Sequence, residues 1–397
     1  MSLDCSTNTP WATLRTTGCD TVMRVLHLLD STCGWEQRLA ITQMLDRFDP
    51  GIVECVVASI DPSHSAKLMS EANVVPLPRR LALPALAAPA IRSLNQSNRF
   101  DIIHAWGAPA AAAARAALPE SSPLVISVFD PGRASTDMRI LLTVQASGPC
   151  VFGCAAERVR RRMVEQGVEF DSCAVIRPGV DFKTIREAKN ADLRSQLGID
   201  RECFVAITPE PPSDRGGHRS AIWAVAMHAH LNNNIRLLIP GDSKAIADLR
   251  RLALSGENPD SIVFTKAQYR FEELQAVADA LICSGVDDVS TTALAWAMAS
   301  GVTVVSPAIY CVAELLSNDL NGMLFKAEES WTRRGRQICV RLGKARQAAK
   351  LREVARGQAY EVFSVRRSVD QHRQLYENVL AGAAPSHNIS DPATVSV

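Results

Sequence analysis

Short apolar runs alternate with helical apolar spacing along most of this chain, in two successive series. Residues 24–29 (RVLHLL) are followed by turn-forming residues 30–34 (DSTCG), which predicts a buried strand. The next stretch, 35–48, puts Leu39, Ile41, Met44, Leu45 and Phe48 on one helical face, and 53–59 (VECVVAS) is strand-like again. The first series continues with strands at 101–106, 123–129 and 150–154 and helices at 108–118 and 155–167; residues 176–181 read as a turn and 183–197 as a helix. A second series opens at 203–208 (CFVAIT), with further strands at 235–240, 261–265, 280–283 and 302–306. Helices at 220–231, 243–253, 270–278, 291–300 and 312–316 separate or follow those strands, then one long basic helix at 333–355 and a last one at 365–381. Parallel strands need a helical crossover, so this alternation predicts parallel sheets covered by helices. The expected class is α/β, with two Rossmann-like, doubly wound domains facing each other across a cleft. The expected divisions are a flexible lead 1–22, a first domain 23–182, a second domain 183–362, a helix 363–382 crossing back to the first domain, and a disordered tail 383–397.

Composition narrows the function. Hydrophobic residues make up 47% and charged residues 21% of the 397, which excludes a largely disordered chain. A net charge of +1 argues against a nucleic-acid partner bound by phosphate neutralisation. No apolar run approaches the roughly 18 residues of a membrane span, and the polar first twenty residues lack a signal-peptide pattern, so a cytoplasmic protein is expected. The 11 cysteines are scattered, and the close pair Cys150 and Cys154 has no neighbouring histidine or second pair, so thiols are expected rather than a metal site. No G-x-G-x-x-G or G-x-x-x-x-G-K-[ST] occurs, which lowers nicotinamide enzymes and P-loop NTPases.

The second half is more specific. Residues 281–301 (LICSGVDDVSTTALAWAMASG), then VTVVSP, Glu314 and Asn321-Gly322, resemble the donor-binding signature of the retaining glycosyltransferases of family 4, also called group 1, which have the GT-B fold. Matching pieces elsewhere are 34–36 (a G-G-x-E-like loop), 101–104 (DIIH), 176–181 (an I-P-x-G-V-D-like turn) and 239–242. The resemblance implies transfer of a sugar from a nucleotide-diphosphate donor to a glycan, lipid or small-molecule acceptor, with retention and with no metal or other cofactor. In that reading Arg215 stabilises the departing diphosphate and Asp288 orients the sugar. Gly34, Gly216, His218, Ser290, Thr291, Thr292 and Glu314 are donor-binding candidates, and His104 and Asp130 are acceptor-side candidates. The chemistry suits these residue types, because cations and helix N-terminal amides hold the charge that develops on a leaving diphosphate.

Three positions depart from the family pattern. Glu210 stands where an arginine is usual, and like charges 4 Å apart repel by about 4 kcal/mol at an effective dielectric of 20. Trp296 replaces the second acidic residue, and an indole offers one donor and no acceptor for ribose hydroxyls. Phe129 occupies the place of a histidine. These departures keep a second reading open, a GT-B scaffold that binds a nucleotide, sugar or protein partner without catalysis. A hydrolase or epimerase has no residue in its favour. The basic stretches 158–162 and 333–352 allow either a peripheral membrane contact or a solvated helix face.

Overall fold

The protein is described by a computed structural model over residues 22–61, 74–77, 84–130, 135–190, 193–209, 217–231, 234–241, 246–265, 269–285 and 289–383. These residues divide into two compact units. One holds the chain up to Gly179 and again from Val365, and the other runs from Val180 to Ser364.

In the first unit seven strands pair in parallel: β1 (Met23–Leu29), β2 (Val53–Ser59), β3 (Val74–Pro76), β4 (Ile102–Ala105), β5 (Leu124–Val128), β6 (Cys150–Cys154) and β7 (Cys173–Val175). Their order is β3-β2-β1-β4-β5-β6-β7, so the winding reverses between β1 and β4. Every residue of β4, β5 and β6 is buried, as expected of parallel strands covered on both faces. Alternation sorts the sheet into two cores. Leu26, Leu28, Ile103 and Ile126 face the alanine-rich helix Ala108–Ala117, whose small side chains permit close approach. Val25, Leu29, Val125 and Val151 share the other core with Val369, Tyr376 and Val379 of the helix Val365–Leu380.

That second face carries an unusual polar load. Register pairs His27 with His104 on neighbouring strands, and both are fully buried. Trp106 donates its indole N–H to His27 Nδ1 at 3.1 Å. An indole can only donate, so Nδ1 must be bare and the imidazole neutral. His104 is bonded at both nitrogens, to Tyr376 Oη at 2.6 Å and Ser127 Oγ at 2.8 Å, while His372 Nδ1 donates to the Ser368 carbonyl at 2.8 Å. Burial, reinforced by His372, lowers the His27 pKa to about 3, and burial lowers that of His372 to about 4. His104 is pushed well below the usual value by burial and by its two histidine neighbours.

In the second unit six strands pair in parallel in the order β10-β9-β8-β11-β12-β13: β8 (Phe204–Ile207), β9 (Ile235–Ile239), β10 (Ile262–Phe264), β11 (Ala280–Ile282), β12 (Thr303–Pro307) and β13 (Met323–Phe325). The winding reverses between β8 and β11, which pair through Ala206–Ala280 and Ile207–Leu281. The helix Thr291–Ser300 is buried along its whole length, consistent with its lack of a polar face.

Several sequence expectations need correction. The single helix expected at 333–355 is two, Trp331–Ala345 and Ala349–Val362. Arg352 donates to the Ala345 carbonyl opened at the break while Leu351 enters the core. Ahead of β4, a 3-10 turn (Pro84–Ala87) leads into the helix Ala88–Asn98. Pro89 lies in the first turn, where no backbone donor is needed, and Ala88 and Ile91 enter the first unit's own core. Strands β3, β7 and β13 and the helix Ser135–Ala146 were not anticipated.

Because the three buried histidines are neutral in the fold and titrate near 6.5 once unfolded, the unfolded chain takes up protons that the folded chain refuses. Their stabilising contribution is complete above about pH 6.5 and is lost as pH falls toward about 4. Urea unfolding should therefore weaken by up to about 1.4 kcal/mol per pH unit for each histidine in that window, and His372→Gln should flatten the slope. A pH-independent midpoint between pH 6.5 and 4 would contradict the neutral assignment.

Candidate functional site

In an open parallel sheet, ligands bind beyond the carboxyl ends of the strands where the winding reverses. In the second unit that place lies above β8 and β11. The chain leaves β8 through Thr208 and Pro209 and re-enters at Gly217, the N-cap of the helix His218–His230. It leaves β11 through Cys283, Ser284 and Gly285, and Ser290 caps the helix Thr291–Ser300. Two helix N-termini thus start at the same sheet edge over adjacent strands. The positive dipole ends of two helices suit an anion.

The two connections touch. Gly217 has φ +68°, and a Cβ there would lie 2.1 Å from the Ser284 carbonyl oxygen and 3.0 Å from Gly285 N. Only glycine fits at that approach. The walls carry polar groups at full burial: His218, Ser220, Ser284, Thr208 and Thr292 are all at most 2% exposed. Thr208 Oγ1 and Thr292 Oγ1 have no hydrogen-bond partner among the described residues. A buried hydroxyl left unmatched costs about 1–3 kcal/mol, so a ligand that engages these two gains that much. Ser290 Oγ accepts the Ala293 N–H at 3.0 Å, an N-capping bond that fixes the second helix start.

Of the candidate residues in this unit, His218, Ser290, Thr291 and Thr292 come together at this edge, while Arg215, Gly216 and Asp288 lie outside the described residues, as does Glu210. Glu314 closes the short helix Tyr310–Ala313 after β12 and is half-buried. Asn321 braces that loop, accepting the Ser317 N–H at 2.7 Å and donating to the Leu315 carbonyl at 3.0 Å. Trp296 is fully buried, and its indole N–H has no partner among the described residues.

Two groups at this edge escaped the sequence reading. Arg334 is buried and donates to Ser220 Oγ, in the first turn of the helix His218–His230, at 3.3 Å. It also donates to the Glu328 and Glu329 carbonyls. Nothing but its place in an arginine-rich stretch could have marked it. Thr208 could have been found, since a polar residue closing an apolar strand sits at the ligand edge of such sheets.

The first unit has its own reversal, between β1 and β4, and there an acidic group fills the anion position. Asp30 is buried and accepts the Ala110 N–H at 2.8 Å, the Thr32 N–H at 2.6 Å and the Thr32 hydroxyl at 2.5 Å. Burial raises its pKa, against the lowering effect of those bonds. An aspartate just after a strand and two residues before a threonine is the sequence signal for such a turn. The amide of Gly34, a donor-binding candidate, is taken by Gln37 Oε1 at 2.9 Å within a capping box, so it is not presented to a phosphate. His104, an acceptor-side candidate, is a core residue with both nitrogens engaged, and so has no surface toward an acceptor. Asp130 is exposed just past β5. Phe129 stacks on Trp106 at 6.2 Å and extends the aromatic cluster where a histidine was expected from the resemblance.

Glycine substitutions test the contact between the two connections. Gly217 and Gly301 share nearly the same φ, +68° and +69°, but nothing lies near a Cβ at Gly301. Gly301→Ala should cost only the left-handed strain, about 1–2 kcal/mol. Gly217→Ala adds a collision with the Ser284 carbonyl and should cost more than about 3 kcal/mol in urea unfolding. Equal losses would contradict the packing described.

Two family models match the chain: Glycosyltransferase Family 4 over residues 40–184 and Glycosyl transferases group 1 over residues 192–356. A comparison with curated proteins finds no match. Among solved structures, the Anabaena protein Alr3699/HepE in complex with UDP and glucose has a TM-score of 0.73 at 18% identity, covering 90% of this chain and 100% of its own. A glycosyltransferase from Rickettsia africae has a TM-score of 0.70 at 13% identity, with 90% and 99% covered. Sucrose-phosphate synthase from Thermosynechococcus elongatus has 0.68 at 15%, with 91% and 100% covered. Identities this low carry the fold and nothing finer. With two parallel sheets wound as described and both halves matched by their own models, the chain belongs to the family 4 and group 1 glycosyltransferases of GT-B fold.

Proposed function

We propose that this protein transfers a sugar from a nucleotide-diphosphate donor to a glycan, lipid or small-molecule acceptor, with retention at the anomeric carbon and without a metal ion. The observation that carries the reading is the pair of helix N-termini joined through Gly217 and Ser284, with the Thr208 and Thr292 hydroxyls at the same edge unmatched among the described residues. An anionic, oxygen-rich group such as a diphosphate suits amides and hydroxyls held in this way. Arg215, in the connection just before Gly217, supplies the cation that stabilises charge on the departing diphosphate. Asp288, just before Val289, binds sugar hydroxyls. Because the leaving charge is met by a guanidinium and by helix ends, no metal is needed in this scheme. Alr3699/HepE has also been solved in complex with UDP-glucose, which makes uridine diphosphate the first nucleotide to try.

A specific observation favours the second reading, a family member that binds without turnover. Trp296 is sealed in the core and cannot grip ribose hydroxyls through a carboxylate, and Phe129 is stacked on Trp106. On membrane contact, no helix among the described residues is long and apolar enough to cross a bilayer. Part of the basic stretch at 333–352 is engaged within its own unit: Arg334, Arg341, Arg346 and Arg352 each donate to a backbone carbonyl there.

Titration with UDP, GDP and ADP, followed by melting temperature, should show stabilisation of about 2.7 kcal/mol at a hundredfold excess over Kd for the preferred base. Arg215→Ala should weaken that binding at least about tenfold, and Trp296→Phe far less. Binding with no sugar transfer across a donor panel selects the second reading. Absence of binding by all three nucleotides contradicts both.

A further inference from the structure

A cavity lies at the opposite edge of the second unit's sheet, where β8 and β11 begin. It has a volume of about 990 Å³, ample for a small metabolite. Five cations line it: Lys189, Arg194, Arg201, Arg346 and Arg352. Among the described residues two carboxylates line it with them, Glu202 and Asp279, and Asp279 is already paired with Arg194 at 3.0 Å.

Part of this charge caps backbone. Lys189 donates to the Ser300 carbonyl, Arg194 to the Val277 carbonyl and Arg352 to the Ala345 carbonyl, each at or just past the end of a helix. A helix C-terminus carries about half a negative charge, so three such ends and two carboxylates still leave the five cations in excess. Donors also remain. Arg352 uses Nη1 for both of its bonds, to Thr303 Oγ1 and the Ala345 carbonyl, leaving Nε and Nη2 open. The Arg201 side chain has no hydrogen bond or ion pair among the described residues. In the cavity wall, Ser300 is 1% exposed and its Oγ has no partner among the described residues. Burial first, and then the nearby Arg356 guanidinium, push the Lys189 pKa down, against a raising effect of Asp279.

We propose that this cavity is a second anion site, which binds a small phosphate-bearing molecule through Arg201, Arg352 and Lys189. Guanidinium groups with free N–H forks match phosphate oxygens in pairs, and the crowded positive charge is relieved when the anion enters. The site lies at the amino-terminal edge of the strands, whereas the paired helix N-termini lie at the carboxyl edge, so the two do not share residues.

Calorimetry on the full chain at about 150 mM salt tests this, at an ionic strength that screens loose surface attraction. Two probes separate the sources of phosphate: inorganic tripolyphosphate and glucose 6-phosphate. At least one should bind, and Arg201→Glu should weaken it by tenfold or more, with Arg201→Ala intermediate. The Arg201 side chain holds no bond among the described residues, so both variants should melt as the parent does and keep its response to UDP. Binding of neither probe, or binding that Arg201→Glu leaves unchanged, would overturn the proposal; the latter result would place the probe at the other sheet edge.

Discussion

The approach of Gly217 to the Ser284 carbonyl sets the geometry of the second unit's carboxyl edge. Parallel pairing of β8 with β11 brings two connections side by side, but pairing alone would leave room for a side chain between them. A glycine in the left-handed region removes that spacing and brings the two helix starts together. Ser290 then fixes the second helix start with its own cap, and Arg334 reaches the first turn of the other helix through Ser220. The result is a small region of oriented amides and buried hydroxyls with a cation close by, formed wholly within one unit.

The first unit handles its own reversal point differently. There Asp30 takes the amides that an external anion would otherwise meet, and a network of His27, His104, Trp106 and Tyr376 lies under the strand ends. Buried polar groups of this kind persist only when nearly every donor and acceptor is matched. Here the indole donor forces His27 to be neutral, and burial holds His104 and His372 in the neutral form beside it. The same geometry that makes the network stable at neutral pH makes the unit acid-sensitive, and it takes His104 out of any direct role at the surface.

Fold class and winding were legible because parallel strands are continuous apolar runs separated by helices with a clear stripe. Residues 24–29, 53–59 and 203–208 carry that signal without ambiguity. Three-residue strands such as Cys173–Val175 and Met323–Phe325 were missed, since a run so short has no period to detect. The break within 333–355 was hidden because its cause is tertiary: Leu351 packs inward and Arg352 caps the open carbonyl. At the candidate site, the resemblance named Ser290, Thr291, Thr292 and His218, which the fold brings to one sheet edge. Arg334 and Asp30 became visible only when the fold brought distant elements into contact. Gly34 and His104 show the reverse failure. Their surrounding motifs matched, but local partners, Gln37 for one and Tyr376 with Ser127 for the other, occupy the groups the resemblance assigned to ligands.

Amide hydrogen exchange with and without saturating UDP tests the central claim most directly, because it reports where the nucleotide acts. The account predicts slowed exchange concentrated at residues 217–220 and 290–293, the two helix starts joined by Gly217 and Ser284. Slowed exchange confined to other parts of the chain, with those amides unchanged under saturating nucleotide, would contradict it.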